Sequence, residues 1–290
     1  MFDILESRPL LAVRRVLPAP VRRTLRPAYQ AVLGAGDFAW RHATGRAHWP
    51  PLRLQELIGR GDYDAIGKEF LGHFQALGDL RPDDHVLEIG CGAGRMAWPL
   101  ARYLSAPGSY VGTEICADAV RWCQRTIGAR YPNFSFLHTD LFSKLYNPRA
   151  TQRASEYRFP FPERSFDFVA LVSVFTHMLP AGLERYVEEV ARLLDPHGRA
   201  LLTFFLLNDE QRRLTEQGRS ALAFSHTCDD YAVANPDFPE AAVGYGEDTV
   251  RELLSRKGLR LREPIHYGSW AGRTRKRCVS YQDIVIVTPL

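Results

Sequence analysis

The run Val86-Leu-Glu-Ile-Gly-Cys-Gly-Ala-Gly-Arg95 decides the fold of this chain. Its first half is apolar apart from Glu88 and suits a short buried strand. Glycines at 90, 92 and 94 then break the strand at a turn that leads into a helix-like segment, 96–104. Glycines there let the backbone approach a ligand closely and take dihedrals that other residues resist. Upstream, Ile66, Phe70, Leu71, Phe74 and Leu77 recur at helical spacing until Gly78 and Pro82 end the run. Downstream, strands are predicted at 109–115, 134–140, 166–174 and 200–206, with helices at 117–129 and 181–194. Alternating strands and helices mean an α/β, doubly wound, mostly parallel sheet. Two final strands, 259–265 and 283–288, have no helix-period segment between them and should pair antiparallel.

Two segments depart from the alternation, 141–165 and 207–246. Connections this long inside a compact domain are usually lids or binding loops. Both leave the carboxyl ends of strands, where such sheets bind ligands.

The chain has 290 residues, 46% hydrophobic and 24% charged, enough to bury a sizeable core. Residues 1–50 hold eight arginines against Asp3, Glu6 and Asp37, which leaves 29 basic and 30 acidic residues in the rest. A neutral body disfavours a nucleic-acid partner, since phosphate contacts need a basic surface. Asp3, Glu6, Arg14, Arg15, Pro18 and Pro20 spoil a secretory signal, and the five cysteines contain no Cys-x-x-Cys pair. A cytoplasmic protein without a disulfide framework or a tetrahedral zinc site is the expectation, and no spacing declares a metal site. Residues 1–63 read as a basic extension of short helical pieces, with peripheral contact to an anionic membrane face as its functional reading. Residues 64–290 read as one domain.

Two cofactors compete for the glycine turn. Gly92-Ala-Gly94-Arg-Met-Ala97 fits a dinucleotide pattern and implies a nicotinamide-dependent oxidoreductase. Glu114, ending the second strand, serves either cofactor by accepting from ribose hydroxyls. Glu88 stands where dinucleotide folds usually have an apolar residue, and a carboxylate there can receive an ammonium group. Asp140 ends the third strand, placed to accept from an adenine amino group or to act as a turn acid. Leu194-Asp-Pro-His-Gly198 supplies a turn into the fifth strand.

Together these resemble the class I S-adenosylmethionine-dependent methyltransferases, in particular a bacterial subgroup of glycan and secondary-metabolite enzymes. The resemblance implies a seven-stranded sheet with its last strand antiparallel, and S-adenosylmethionine as cofactor. It assigns Gly90, Gly92 and Gly94 to the methionine and ribose side, Glu88 to the amino group, Glu114 to the ribose and Asp140 to the adenine. Arg95, Ile115, Leu141 and Ser173 flank these positions and join the expected cofactor site.

After the fourth strand the chain has Ser173-Val-Phe-Thr-His-Met178, without the Pro-Pro-aromatic block of amino-group methyltransferases. No Pro-Cys dipeptide, the pyrimidine-carbon nucleophile, occurs. Methylation of a hydroxyl wants a base, and His177 is the candidate. The acceptor pocket is expected from Tyr146 and Asn147 in the first lid, from His226, Tyr231, Asn235, Asp237 and Phe238 in the second, and from Tyr267, Trp270 and Arg273 in the tail. Aromatic faces interleaved with polar groups suit a saccharide or other hydroxylated metabolite. The basic run Arg273-Thr-Arg-Lys-Arg277 suits a phosphate, as in a nucleotide- or lipid-linked sugar. A catalytically silent cofactor-binding scaffold is the reading from outside the enzymes.

Overall fold

The computed structural model describes residues 19–57, 59 and 61–290, and the chain divides into two units, Met1–Tyr63 and Asp64–Leu290. In the first, α1 (Ala19–Ala43) and α2 (Leu52–Leu57) are the helices. The short pieces expected of this region are instead, from Ala19, one 25-residue helix that contains Pro20 and Pro27. Pro20 stands in the first turn, where a proline removes no helical hydrogen bond, whereas Pro27, the ninth residue, lacks the N–H that an interior position would donate. What was expected of residues 1–18 lies outside the described residues. Beyond α1 the turn is held by Arg41, buried, whose Nε donates to Asp37 Oδ2 at 3.0 Å and whose Nη1 donates to the Trp49 carbonyl at 2.8 Å. Val32, Leu33, Phe38 and Trp40 of α1 are exposed. No helix among the described residues is long and apolar enough to cross a membrane.

The second unit is built on a seven-stranded sheet. Its elements run α3 (Tyr63–Ala76), β1 (His85–Ile89), α4 (Ala97–Tyr103), β2 (Ser109–Glu114), α5 (Ala117–Cys123), β3 (Phe134–His138), β4 (Phe166–Leu171), α6 (Pro180–Leu193) and β5 (Leu194–Phe204). They continue with β6 (Leu206–Leu207), α7 (Asp209–Glu216), β7 (His226–Cys228), β8 (Tyr231–Val233), β9 (Val243–Gly246), α8 (Glu247–Arg256), β10 (Leu259–His266) and β11 (Asp283–Pro289). The large sheet is ordered β10-β11-β5-β4-β1-β2-β3. Only β11 runs against its neighbours, β10 and β5; every other pairing is parallel. Strands covered on both faces read as near-continuous apolar runs, as in Phe166-Asp-Phe-Val-Ala-Leu171. Val169 and Leu171 point into the core with Leu183, Val187 and Val190 of α6 and Val250 and Leu254 of α8. Phe168 points the other way and meets Phe74 of α3, ring centroids 5.3 Å apart. Helices therefore cover both faces.

Four local differences from the sequence reading matter. The helix expected over 117–129 is α-helical to Cys123 and a π-turn from Gln124 to Gly128. The fourth strand ends at Leu171, and Ser173 takes a φ of +61°, which turns the chain out of the sheet. The fifth strand begins at Leu194: pairing steps from Phe166↔Leu194 to Phe168↔Arg199, so the Asp-Pro-His-Gly turn is a bulge inside the strand. Finally, the second lid is structured. It carries α7 and most of a four-stranded sheet ordered β6-β9-β8-β7, whose strands are too short to show a periodicity.

Candidate active site

The glycine turn begins where β1 runs out, and β2 holds it. The backbone N–H groups of Gly90 and Cys91 both donate to the Thr113 carbonyl, at 2.8 and 3.0 Å. Gly90, Gly92 and Gly94 take φ of +79°, +53° and +80°. At Gly90 the demand is also steric, because an added Cβ would lie 2.6 Å from Val174 Cγ2. On the other side, Gly67 of α3 leaves room for the Arg95 carbonyl, 2.4 Å from where its Cβ would be.

Glu114 braces this turn. Its Oε2 accepts from Gly92 N at 2.9 Å and its Oε1 from Cys116 N at 2.7 Å. Burial raises its pKa and those N–H groups oppose the rise. Each oxygen keeps a second lone-pair direction, so the carboxylate can brace the loop and still accept from hydroxyls. Glu88 is deeper, 2% exposed, and burial pushes its pKa up to about 7. Tyr110 donates its hydroxyl to Glu88 Oε2 at 2.5 Å, and the charge of half-buried Arg95 counters the shift. Ile115 is half-buried against the core, and Leu141 is buried with its backbone bridged to Gln152. Exposed Asp140 accepts from Asn147 Nδ2 at 2.9 Å, so a cofactor-side and an acceptor-side candidate meet.

His177 lies on a single 3₁₀ turn, Phe175–His177, just beyond β4. Its Nδ1 sits 2.9 Å from the Glu240 carbonyl, an acceptor only, so Nδ1 carries the hydrogen and Nε2 the lone pair. Burial lowers its pKa, which keeps the ring neutral at neutral pH. The ring of Tyr146 stands edge-on to His177, centroids 6.0 Å apart, and burial raises the Tyr146 hydroxyl to about 12. Glu240 also ties the lids together: its Oε2 accepts from Ser143 Oγ at 2.9 Å and Lys144 N at 3.0 Å. Lys144 adds a bond from Nζ to the Asp237 carbonyl and lies over the Phe238 ring. On the next turn, Tyr245 donates to the Met178 carbonyl at 2.5 Å, and Tyr231 sits 6.2 Å from Tyr245, ring to ring. Exposed Ser173 donates from N to Thr203 Oγ1 and from Oγ to Gln282.

Tyr146 thus meets His177 and Asn147 meets Asp140, while Tyr231 reaches this region only through Tyr245. Others lie elsewhere. His226 is exposed on β7, and Asn235 closes its own turn by accepting from Asp237 N. Tyr267 donates to Glu247, and Arg273 stacks over the Tyr267 ring at 4.6 Å. Trp270, expected to line the acceptor pocket, is fully buried: it packs on Phe205 and Phe224 and donates its Nε1–H to Asp283 at 2.8 Å. The sequence reading missed Tyr110, Glu240, Tyr245 and Gln282. Tyr110 left one signal, Gly112 on the same strand: a Cβ there would fall 2.9 Å from the Tyr110 hydroxyl. No cluster able to hold a metal ion occurs among the described residues.

Residues 86–198 match the family model of a methyltransferase domain. Among curated proteins, the chain is 32% identical over 124 residues to the chicken (Gallus gallus) tRNA N(3)-cytidine methyltransferase METTL2, 40% of this chain and 29% of that one. It is 31% identical over 155 residues to nocamycin O-methyltransferase of Saccharothrix syringae, 49% of this chain and 47% of that one. The chain thus spans less than half the length of these relatives. Of solved structures, the PH0226 protein of Pyrococcus horikoshii OT3 superposes with a TM-score of 0.54 at 19% identity, over 80% of this chain and 93% of that one. Residues 86–198 thus match a methyltransferase domain, and the seven-stranded sheet has the fold of the class I S-adenosylmethionine-dependent methyltransferases.

Proposed function

We propose that this class I methyltransferase carries the methyl group of S-adenosylmethionine to a hydroxyl of a saccharide or other hydroxylated small molecule, with His177 as general base. The observation that carries the reading is the Nδ1 contact of His177 with the Glu240 carbonyl. It fixes the tautomer that leaves Nε2 able to take a proton, and the lowered pKa keeps that nitrogen unprotonated. A hydroxyl gains nucleophilicity only as its proton leaves, so a positioned neutral imidazole suits oxygen transfer. When bound, S-adenosylmethionine supplies an electrophilic methyl on a sulfonium. The residues with a part in holding it are Gly90, Gly92 and Gly94 by close backbone approach, Glu114 toward the ribose, Asp140 toward the adenine and Glu88 toward the ammonium. Arg95, Ile115, Leu141 and Ser173 frame that site. Tyr146 stands edge-on to His177, and it, Asn147 and Tyr231 are the acceptor-side residues that, with the two lids, limit the water that competes for the methyl.

Transfer of labelled methyl from S-adenosylmethionine to an extract of the source organism, split into saccharide, lipid and RNA fractions, tests the acceptor class. Label in the saccharide or small-molecule fraction is expected. Label in RNA alone would replace this reading with the tRNA chemistry of one curated relative. The near-neutral body after residue 50 argues against that outcome. Peripheral membrane contact is a further part of the proposal. Its support is the exposed Val32, Leu33, Phe38 and Trp40 on α1 beside an arginine-rich leader. Co-sedimentation with anionic but not with neutral vesicles is the outcome expected.

A further inference from the structure

The basic run Arg273–Arg277 takes no part in the site around His177. It borders a cavity of about 430 Å³ at the carboxyl end of β10, a volume in the range of small-ligand sites. The polar lining is Arg219, Arg273, Arg277, His266, Tyr267 and Glu210, over an apolar floor of Leu214 and Ile265. Three guanidinium groups therefore face one carboxylate.

They are not equivalent. Arg273 is built in: 7% exposed, it donates from Nε to Glu210 at 2.7 Å, stacks on Tyr267, and lies 3.7 Å from Asp283. Asp283 in turn accepts from Leu206 N, Gly268 N and Trp270 Nε1, so one side of the cavity is rigidly framed. Arg219 donates to the Gly272 carbonyl, a neutral partner, and Arg277 pairs with no carboxylate among the described residues. Burial keeps the His266 ring neutral by lowering its pKa. The wall thus presents two uncompensated guanidinium charges beside a third that is locked in place. Planar forks of this kind match the oxygens and the double charge of a phosphate.

We propose that this cavity is an anion site for the phosphate or diphosphate group of a ligand, separate from the glycine turn. As the anchor of the methyl acceptor it rests on the function proposed above. β10 lies three strand positions from β4, which leads to His177, a separation of roughly 14 Å at ~4.8 Å per strand. An acceptor held here by its phosphate is therefore extended, as a glycosyl diphosphate is.

The test is calorimetric titration of the full chain with inorganic pyrophosphate, orthophosphate and citrate, and of the same samples with S-adenosylhomocysteine. The variants are Arg277→Gln, Arg219→Gln and the pair. Expected are saturable one-to-one binding of pyrophosphate in preference to citrate, and a loss of about tenfold for each guanidinium removed. S-adenosylhomocysteine affinity should not change in the variants, which also shows that they are folded. Pyrophosphate binding that does not saturate by millimolar concentrations, or that survives in the double variant, overturns the site. Pyrophosphate binding without any S-adenosylhomocysteine binding supports the site and removes the methyltransferase reading on which its acceptor role rests.

Discussion

The proposed donor side and the proposed acceptor side of this molecule are built in different ways. The donor side is local: Gly92 is bonded to Glu114, 22 positions on, and Glu88 to Tyr110, also 22 positions on, across adjacent parallel strands. The acceptor side is assembled from far apart. His177 reaches Glu240 over 63 positions, and Ser143 reaches Glu240 over 97. Backbone geometry shapes the first, and the packing of two lids shapes the second. The first can therefore be fixed by a few glycines and carboxylates, whereas the second depends on how separate insertions settle on each other.

Breaking each side should give separate kinetic signatures. The largest effect is expected at His177: His177→Ala should lower kcat by roughly 10²–10⁴-fold, the range of a lost general base, with S-adenosylhomocysteine affinity intact. Because burial holds the imidazole below its ordinary 6.5, the wild-type rate should stay level through that pH and fall only at lower values. Gly90→Ala should do the reverse. A side chain pressed on Val174 at a φ of +79° should weaken cofactor binding by about 10–100-fold, the cost of a strained residue, measured by calorimetry.

A pH effect of intermediate size sharpens the donor side. Burial pushes the Glu88 pKa up to about 7, and in the role proposed for it only the anion would attract the ammonium of the cofactor. Affinity for S-adenosylhomocysteine should therefore rise with pH up to about 7, by at most about tenfold per unit, and level off above it. Glu88→Gln should flatten that dependence. The smallest effect is expected at the latch. Glu240→Gln keeps the backbone carbonyl that holds His177 but weakens the bonds to Ser143 and Lys144, so KM for the acceptor should rise about three- to tenfold while kcat changes little.

The same contrast explains what could be read from the amino acids. The order of the seven strands' elements and the antiparallel tail were legible because buried parallel strands are continuous apolar runs, and the turn after β1 announces itself by its glycines. Legibility stopped where strands of two to four residues formed a sheet inside the second lid. It stopped too at Trp270, whose type suggests a pocket wall. The buried carboxylate of Asp283 draws its indole N–H inward. Glu240 could not be found at all from sequence, because both of its roles involve partners at least 63 positions away.

The central claim is a neutral His177 acting on a hydroxyl. Its most direct test is the rate of labelled methyl transfer to the hydroxylated acceptor fraction by wild type and His177→Ala, with S-adenosylhomocysteine affinity measured on both. The account expects O-linked label, a rate at least about 100-fold lower in the variant, and equal affinities. Equal rates in the two proteins, or label confined to RNA, would contradict it.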